Sequence, residues 1–401
     1  MLFFVAFKNI LRNPRRSVVT LLTVAMGTFA LFLFDGFNNG IMNQYRENTI
    51  HSRYGHGQLN TEGYRDQIFE KPWKHWIQDY EKVAKSLESI PEVKKIFPRV
   101  SFSSLLTNGD LTVSGLGLGV DGSQESDFFH TLNVIEGENL YETEDAILLG
   151  KGLARSLGVK PGDTITVLGN TVHGSINGLD LTVKGIFHTG AKNVDDTLFR
   201  IQLSQAHTLL DTEKVETVAI GLGSYEQWTR FVEQTDDLLP KIEATSFAVL
   251  DKVYYQHAVD WLGQQFYVIQ FIIIFIITLG IINTVSFTVL ERTQEIGNLR
   301  ANGESKFEVI LLLLTEGSII GLIGGVLGVL IGYILNAALL GEGILMPPAP
   351  GITRQYNVMI ELQSSMALLA TVIGCTTAIL GSFIASLKVT KISIADALRT
   401  Y

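Results

Sequence analysis

Cysteine is nearly absent from this chain: Cys375 is the one thiol in 401 residues. It lies in an apolar run, so the polar middle of the chain has no disulfide and must rely on its own core. Catalytic signatures are missing too. There is no G-x-x-x-x-G-K-[ST] phosphate loop, which excludes ATP hydrolysis by that route. The eight histidines (His51, His56, His75, His130, His173, His188, His207 and His257) show no H-E-x-x-H or other recognised ligand spacing and read as ordinary histidines, not as a metal site. No Gly-x-Ser-x-Gly elbow occurs. Gly115-Leu116-Gly117-Leu118-Gly119 superficially resembles a dinucleotide motif, but Val120-Asp121-Gly122 reads as a turn and no helix is expected after it. The chain is therefore expected to be non-catalytic alone, with no cofactor and no metal of its own.

Charge is scarce and apolar length is plentiful: 18% of residues are charged and 46% hydrophobic. Four stretches, at about 17–37, 264–290, 309–340 and 366–387, are long and apolar enough to cross roughly 30 Å of hydrocarbon, which takes about 20 helical residues. The predicted fold class is a membrane α-helical protein of four transmembrane helices. A large α+β extracytoplasmic domain, residues 38–262, is inserted between helices 1 and 2. Lys8, Arg12, Arg15 and Arg16 precede the first span, and Arg292, Arg300 and Lys306 follow the second. Lys388, Lys391 and Arg399 follow the fourth, whereas the 341–365 loop has only Arg354. The positive-inside rule then puts both termini, the 291–308 loop and the 388–401 tail in the cytoplasm. The outer domain carries 20 Lys+Arg against 31 Asp+Glu, a net charge of −11, which argues against nucleic acid as a partner. The run after the basic N-terminus is long and lacks a small-x-small cleavage site, so a retained anchor is expected.

Residues 1–16 predict an amphipathic helix on the inner face, with Phe3, Phe4, Phe7, Ile10 and Leu11 toward lipid and the basic residues toward anionic headgroups. Helical character persists past Asn38 to about Ile50, so the first span is expected to continue as a stalk. In the outer domain, helical spacing at Asp79–Ser89, Gly150–Leu157 and Tyr225–Leu239 alternates with strand patterns. Those strands fall at Val93–Val100, Leu111–Val120, Thr164–Leu168, Leu179–Phe187 and Thr197–Leu203. The reading is a β-rich module, roughly 120–215, inserted between two halves of a βαβ-type subdomain. Tyr254, Tyr255, Trp261 and Tyr267 suit an outer interfacial belt, or a second stalk packed on the first. In the third span, Gly317, Gly321 and Gly325 step by four, as do Gly324, Gly328 and Gly332, which predicts two tracks for close helix packing. Glu316 stands about a turn and a half inside the same run. It is either a buried acid with a basic partner or a residue of an interfacial elbow that still reaches water.

The most informative stretch is Asn283–Gly303, NTVSFTVLERTQEIGNLRANG. It leaves an apolar run at Leu290, turns charged at Glu291, Arg292 and Glu295, and closes on Asn302-Gly303, both tolerant of positive φ. Its Leu290–Gly303 motif, Glu316-Gly317 in the next span and the tail Ile394–Arg399 resemble the FtsX/MacB-like permeases, four-span subunits of type VII ABC transporters. Ile147–Ala154, Leu157-Gly158-Val159 and Pro161-Gly162-Asp163 resemble that family's periplasmic domain. Lys8–Arg16, Gly55-His56-Gly57 and Gly63-Tyr64 look most like its lipoprotein-releasing branch.

The resemblance implies a permease dimer, homomeric or of two paralogues, above a pair of separate ABC ATPase subunits that bind the ATP and Mg. The short helix after span 2 would be the coupling helix, with Ile296, Leu299 and Arg300 at docking positions. Glu291, Arg292 and Glu295 would be its charged approach, and Gly303 the turn that ends it. Movement would pass outward by mechanotransmission in a bacterial inner membrane, toward lipoprotein or amphipathic cargo. Phe29, Phe32, Ile272, Phe275 and Ile276 would be candidate linings of a lipid-facing cargo cavity. Two alternatives remain: a tripartite efflux permease serving a periplasmic adaptor, and a regulator of a periplasmic hydrolase that transports nothing.

Overall fold

The computed structural model describes residues 2–12, 14–67, 72–129, 132–141, 145–252, 256–347, 355–389 and 393–394. Readings that rest on Phe69, His130, Tyr254, Tyr255, Arg354, Lys391 or Ala395–Arg399 fall outside the described residues. Two compact units are formed: Met1–Gln44 with Val259–Met346 and Asn357–Tyr401, and Tyr45–Ala258 with Pro347–Tyr356.

The chain opens with α1 (Leu2–Arg12) and α2 (Pro14–Thr49). Proline lacks an amide hydrogen and suits the first position of a helix, so Pro14 begins α2. Its 36 residues make α2 about 54 Å long, well beyond the ~30 Å of hydrocarbon.

The outer unit runs β1 (Gly57–Thr61), α3 (Tyr80–Glu88), β2 (Val93–Thr107), β3 (Thr112–Val120), α4 (Gly122–Phe128), β4 (Asn133–Gly137), β5 (Ala146–Gly150) and α5 (Lys151–Leu157). It continues with β6 (Thr164–Asn170), β7 (Ile176–His188), α6 (Lys192–Asp195), β8 (Leu198–Gln202) and α7 (Leu203–Leu210). β9 (Thr217–Leu222), α8 (Trp228–Leu238), β10 (Ile242–Ser246) and α9 (Phe247–Leu250) complete it. Strands β10-β1-β9-β2 lie side by side, all antiparallel, with α3 leading from β1 to β2 and α8 from β9 to β10. That is a split β-α-β arrangement. Between β2 and β9 the pairings β2-β3-β8-β5-β7-β6 return to β2 and close a six-stranded barrel. The β-rich module thus starts inside β2, not near residue 120. One 15-residue strand serves both parts: residues 93–99 pair with β9, and 99–107 pair with β3.

Closure leaves the ring without a free edge, and its apolar side chains supply the core. Val100, Phe102, Leu106, Ile165 and Phe199 belong to one buried cluster, while Leu59, Ile96, Ile220 and Phe231 form a second in the open sheet. A helix, α4, does follow the glycine-rich stretch, contrary to the turn read from sequence, and Asp121 caps it by accepting from the Gln124 amide. The glycines themselves lie within β3, two apart and so on one face. A Cβ at Gly117 would stand 2.4 Å from the Phe102 ring, and one at Gly115 would stand 2.5 Å from Leu106. They are slots for barrel side chains, not a phosphate cradle.

The membrane unit continues with α10 (His257–Glu291), α11 (Thr293–Ala301) and α12 (Lys306–Leu335), a two-stranded sheet of β11 (Ile344–Met346) and β12 (Tyr356–Val358), and α13 (Ser364–Val389). Among the described residues four helices are long and apolar enough to cross a membrane: Ser17–Tyr54, Val259–Glu291, Lys306–Leu340 and Ser364–Lys388. The two glycine tracks of α12 meet different partners. Added Cβ atoms at Gly317, Gly321 and Gly325 would meet Ser382, Cys375 and Thr371 of α13. Those at Gly324, Gly328 and Gly332 would meet Val24, the Ala25 carbonyl and Phe32 of α2. Missing side chains therefore let α12 sit against both neighbours at backbone distance. Gln270 on α10 donates to Asp35 on α2 at 2.9 Å, and the Glu361 amide donates to the Gly36 carbonyl at 3.0 Å.

Overpacking a filled core costs about 1–3 kcal/mol. Gly117→Val is expected to lower the thermal midpoint of the full chain in detergent, followed by near-ultraviolet circular dichroism, whereas Gly174→Ala, at an open turn, is expected to lower it less. Equal midpoints for the two variants would contradict the barrel packing.

Candidate functional site: a clamped helix between two spans

The sequence Leu290–Glu308 builds a short helix with firm ends. α10 stops at Glu291, and Arg292 leaves helical geometry with φ −98° and ψ 13°. At the far end of α11, Gly303 adopts φ +102°, where a side chain would be strained. The Glu304 amide donates to Leu299 and the Gly303 amide to Arg300, the paired bonds of a Schellman cap. Two residues later a capping box starts α12: Ser305 Oγ accepts from the Glu308 amide, and Glu308 accepts from the Ser305 amide at 2.8 Å. The Ser305-Lys306-Phe307-Glu308 pattern is a sequence-level start signal. It places the beginning of α12 at Lys306, three residues before the expected start of the third span.

Arg292 and Glu316 close the structure from within. An Arg292 Nη donates to Glu316 Oε2 at 2.6 Å, with side-chain exposures of 8% and 10%. Arg292 Nε donates to Glu295 at 3.0 Å, and Asn9 Nδ2 of α1 donates to the other Glu316 oxygen at 2.9 Å. Arg12 reaches Glu295 at 3.2 Å across an exposed surface. Burial works to lower the pKa of Arg292, but Glu316 and then Glu295 more than offset it and hold the guanidinium above its ordinary range. The pair borders a cavity of about 40 Å³ lined by Thr20, Val289, Leu313, Ile320 and Ser382, among others. One water needs roughly 10–15 Å³, so the space suits a few waters at most and no organic ligand.

Of the two readings of Glu316, the structure gives the buried acid with a basic partner. It also alters the expected docking face. Ile296 is 3% exposed and packs with Val289, Val309 and Leu313, so it is used inside the protomer and cannot present a contact outward. Arg292 is likewise buried. Leu299 is half-buried against Ala6, Leu312 and Ile319, and Arg300 is half-buried. Glu295 is partly exposed, while Glu291 and Gly303 are exposed. The open side of α11 is carried by Gln294, Asn298 and Ala301, three to four residues apart. Ile296 lies on the face shared with the flanking spans, which hydrophobicity alone does not distinguish from an outward contact. Asn9 and Arg12 were missed as site residues, since their partners are hundreds of positions away.

The cavity residues divide. Ile272, Phe275 and Ile276 are exposed on α10. Phe32 is fully buried against Gly332, with its ring 5.2 Å from that of Tyr333, so it is internal packing and not a cavity lining. Phe29 is half-buried on the same side of α2.

This architecture defines a class: among the described residues, four helices long and apolar enough to cross a membrane, with a folded domain between the first and second in chain order and a short capped helix between the second and third. The FtsX-like permease C-terminal family model matches residues 267–394, and the MacB-like periplasmic core domain matches residues 17–238. The chain belongs to the FtsX/MacB-like family of ABC transporter permeases. It is similar to the lipoprotein-releasing system transmembrane protein LolC of Neisseria meningitidis serogroup B, at 25% identity over 81% of this chain and 79% of that protein. LolC of Xylella fastidiosa (strain Temecula1) is 25% identical over 96% of this chain and 93% of its own length. LolE of Haemophilus influenzae is 24% identical over 65% and 64%.

Removing one member of a buried ion pair typically costs about 3–5 kcal/mol, whereas an apolar replacement of both is far milder. Glu316→Leu alone is expected to reduce the folded yield and the detergent melting temperature strongly, and Arg292→Met with Glu316→Leu to recover most of the loss. A double variant as unstable as the single one would show that the pair's mutual compensation is not what holds the site.

Proposed function

We propose that this permease is the membrane subunit of a transporter in which a separate ATPase dimer, holding ATP and Mg, drives movement through α11. The movement would extract lipoprotein, or another lipid-anchored cargo, from the outer leaflet of a bacterial inner membrane. The observation that carries the reading is the construction of α11. An open face of Gln294, Asn298 and Ala301 is held out from a helix whose opposite side is locked by Ile296 and the Arg292–Glu316 pair. A force on such a face moves α10 and α12 together, because neither end of α11 has slack. In this reading both termini and α11 are cytoplasmic, the outer unit is periplasmic, and two permease copies stand over the ATPases.

Similarity to lipoprotein-releasing permeases over most of both chains supports the cargo class. The macrolide exporter MacB of Nitrobacter winogradskyi matches only 24% of this chain, which gives an adaptor-linked efflux role less support.

The test uses a chain with Cys375→Ala, so that new cysteines are unique. Asn298→Cys and Gln294→Cys should cross-link to a co-expressed ATPase subunit, and Ile296→Cys should not. Arg300→Glu should separate ATP hydrolysis from release of lipidated cargo while membrane insertion persists. Cross-linking from position 296 with none from 294 or 298 would contradict docking through this face, and full coupling in Arg300→Glu would remove Arg300 from the coupling contact.

A further inference from the structure

α1 presents three faces. Ala6, Asn9 and Ile10 turn toward the protein: Ala6 and Ile10 pack with Leu312, Ile319 and Leu299, and Asn9 bonds Glu316. Phe3, Phe4, Phe7 and Leu11 form an apolar track left open among the described residues, with exposures of 65, 63, 40 and 63%. Lys8 and Arg12 are exposed beside it, and Arg15 is exposed at the start of α2. Lys8 lies over the Phe4 ring at 4.8 Å, so cation and apolar track share one surface. Such a helix buries its apolar face at a headgroup–acyl boundary and gains from negative headgroups.

From these contacts we propose that α1 is an anionic-lipid sensor for α11: its docking on a negatively charged leaflet sets how tightly the short helix is held. The occupant is the bilayer surface itself. Charge complementarity selects it, because the open apolar track is flanked by Lys8 and Arg15 with no acidic residue anywhere in Leu2–Ser17. The link inward is direct. Arg12 bridges to Glu295 of α11, Ile10 and Leu299 pack on the same buried cluster, and Asn9 shares Glu316 with Arg292. The exposed Arg12–Glu295 bridge alone is weak, so the apolar and Asn9 contacts carry most of the connection. An α1 fixed by lipid therefore restrains α11, and a detached α1 removes one wall of its seat.

The proposal does not depend on the ATPase or on the cargo, and its test omits both. The full chain is placed in nanodiscs of phosphatidylcholine alone or with added phosphatidylglycerol, and amide hydrogen exchange is followed across residues 293–301. Slower exchange with the anionic lipid is expected. Lys8→Glu with Arg15→Glu should abolish the difference, since each surface cation contributes about fivefold to attachment. Asn9→Ala with Arg12→Gln should leave α1 itself protected by the anionic lipid while residues 293–301 no longer respond. Identical exchange of 293–301 in the two lipids overturns the proposal. So does a lipid response that survives Lys8→Glu with Arg15→Glu, which would place the sensor elsewhere, or one that survives Asn9→Ala with Arg12→Gln, which would break the link to α11.

Discussion

The membrane unit depends on one buried contact, the 2.6 Å ion pair between Arg292 and Glu316. A carboxylate inside an apolar run costs a few kcal/mol unless it is compensated. Here one oxygen takes a guanidinium N–H and the other takes the Asn9 amide. The arrangement fixes three separate pieces of chain at one point: the end of α10, the third turn of α12, and the N-terminal helix. The polar groups are costly to bury and specific in geometry, so they serve as a register pin more than as a source of stability.

Around that pin the packing leaves little freedom. α12 is seated against α13 by one glycine track and against α2 by the other. Ile296 extends the buried cluster of Val24, Ile281, Val289 and Leu313 into α11, so the short helix is part of the bundle and not a loop resting on it. Stiffness is the property a transmitted movement requires.

Periodic features were readable from the chain. Four apolar runs, the two four-residue glycine tracks and the Asn302-Gly303 stop each express a local geometric requirement: span length, close approach, or positive φ. Orientation within the fold was less readable. Ile296 and Phe32 looked like contact residues because apolar side chains suit an interface and an interior equally well, and only packing distinguishes them. Asn9 and Arg12 carry no local signature, since a hydrogen bond across 307 positions depends on tertiary structure. The Ser305–Glu308 capping box was present in plain sequence and would have set the start of α12 correctly. The glycines of β3 had meaning only once Phe102 and Phe199 were known to lie across from them inside a closed barrel.

The central claim is that the Arg292–Glu316 pair makes α11 one rigid piece with α12. Its most direct test is a spin-label distance distribution between Asn298→Cys on the open face of α11 and Leu322→Cys on the exposed side of α12, in a chain with Cys375→Ala. A single narrow distribution is predicted, broadening markedly when Glu316→Gln is added. A distribution already broad with Glu316 intact, or equally narrow after the change, would contradict the account.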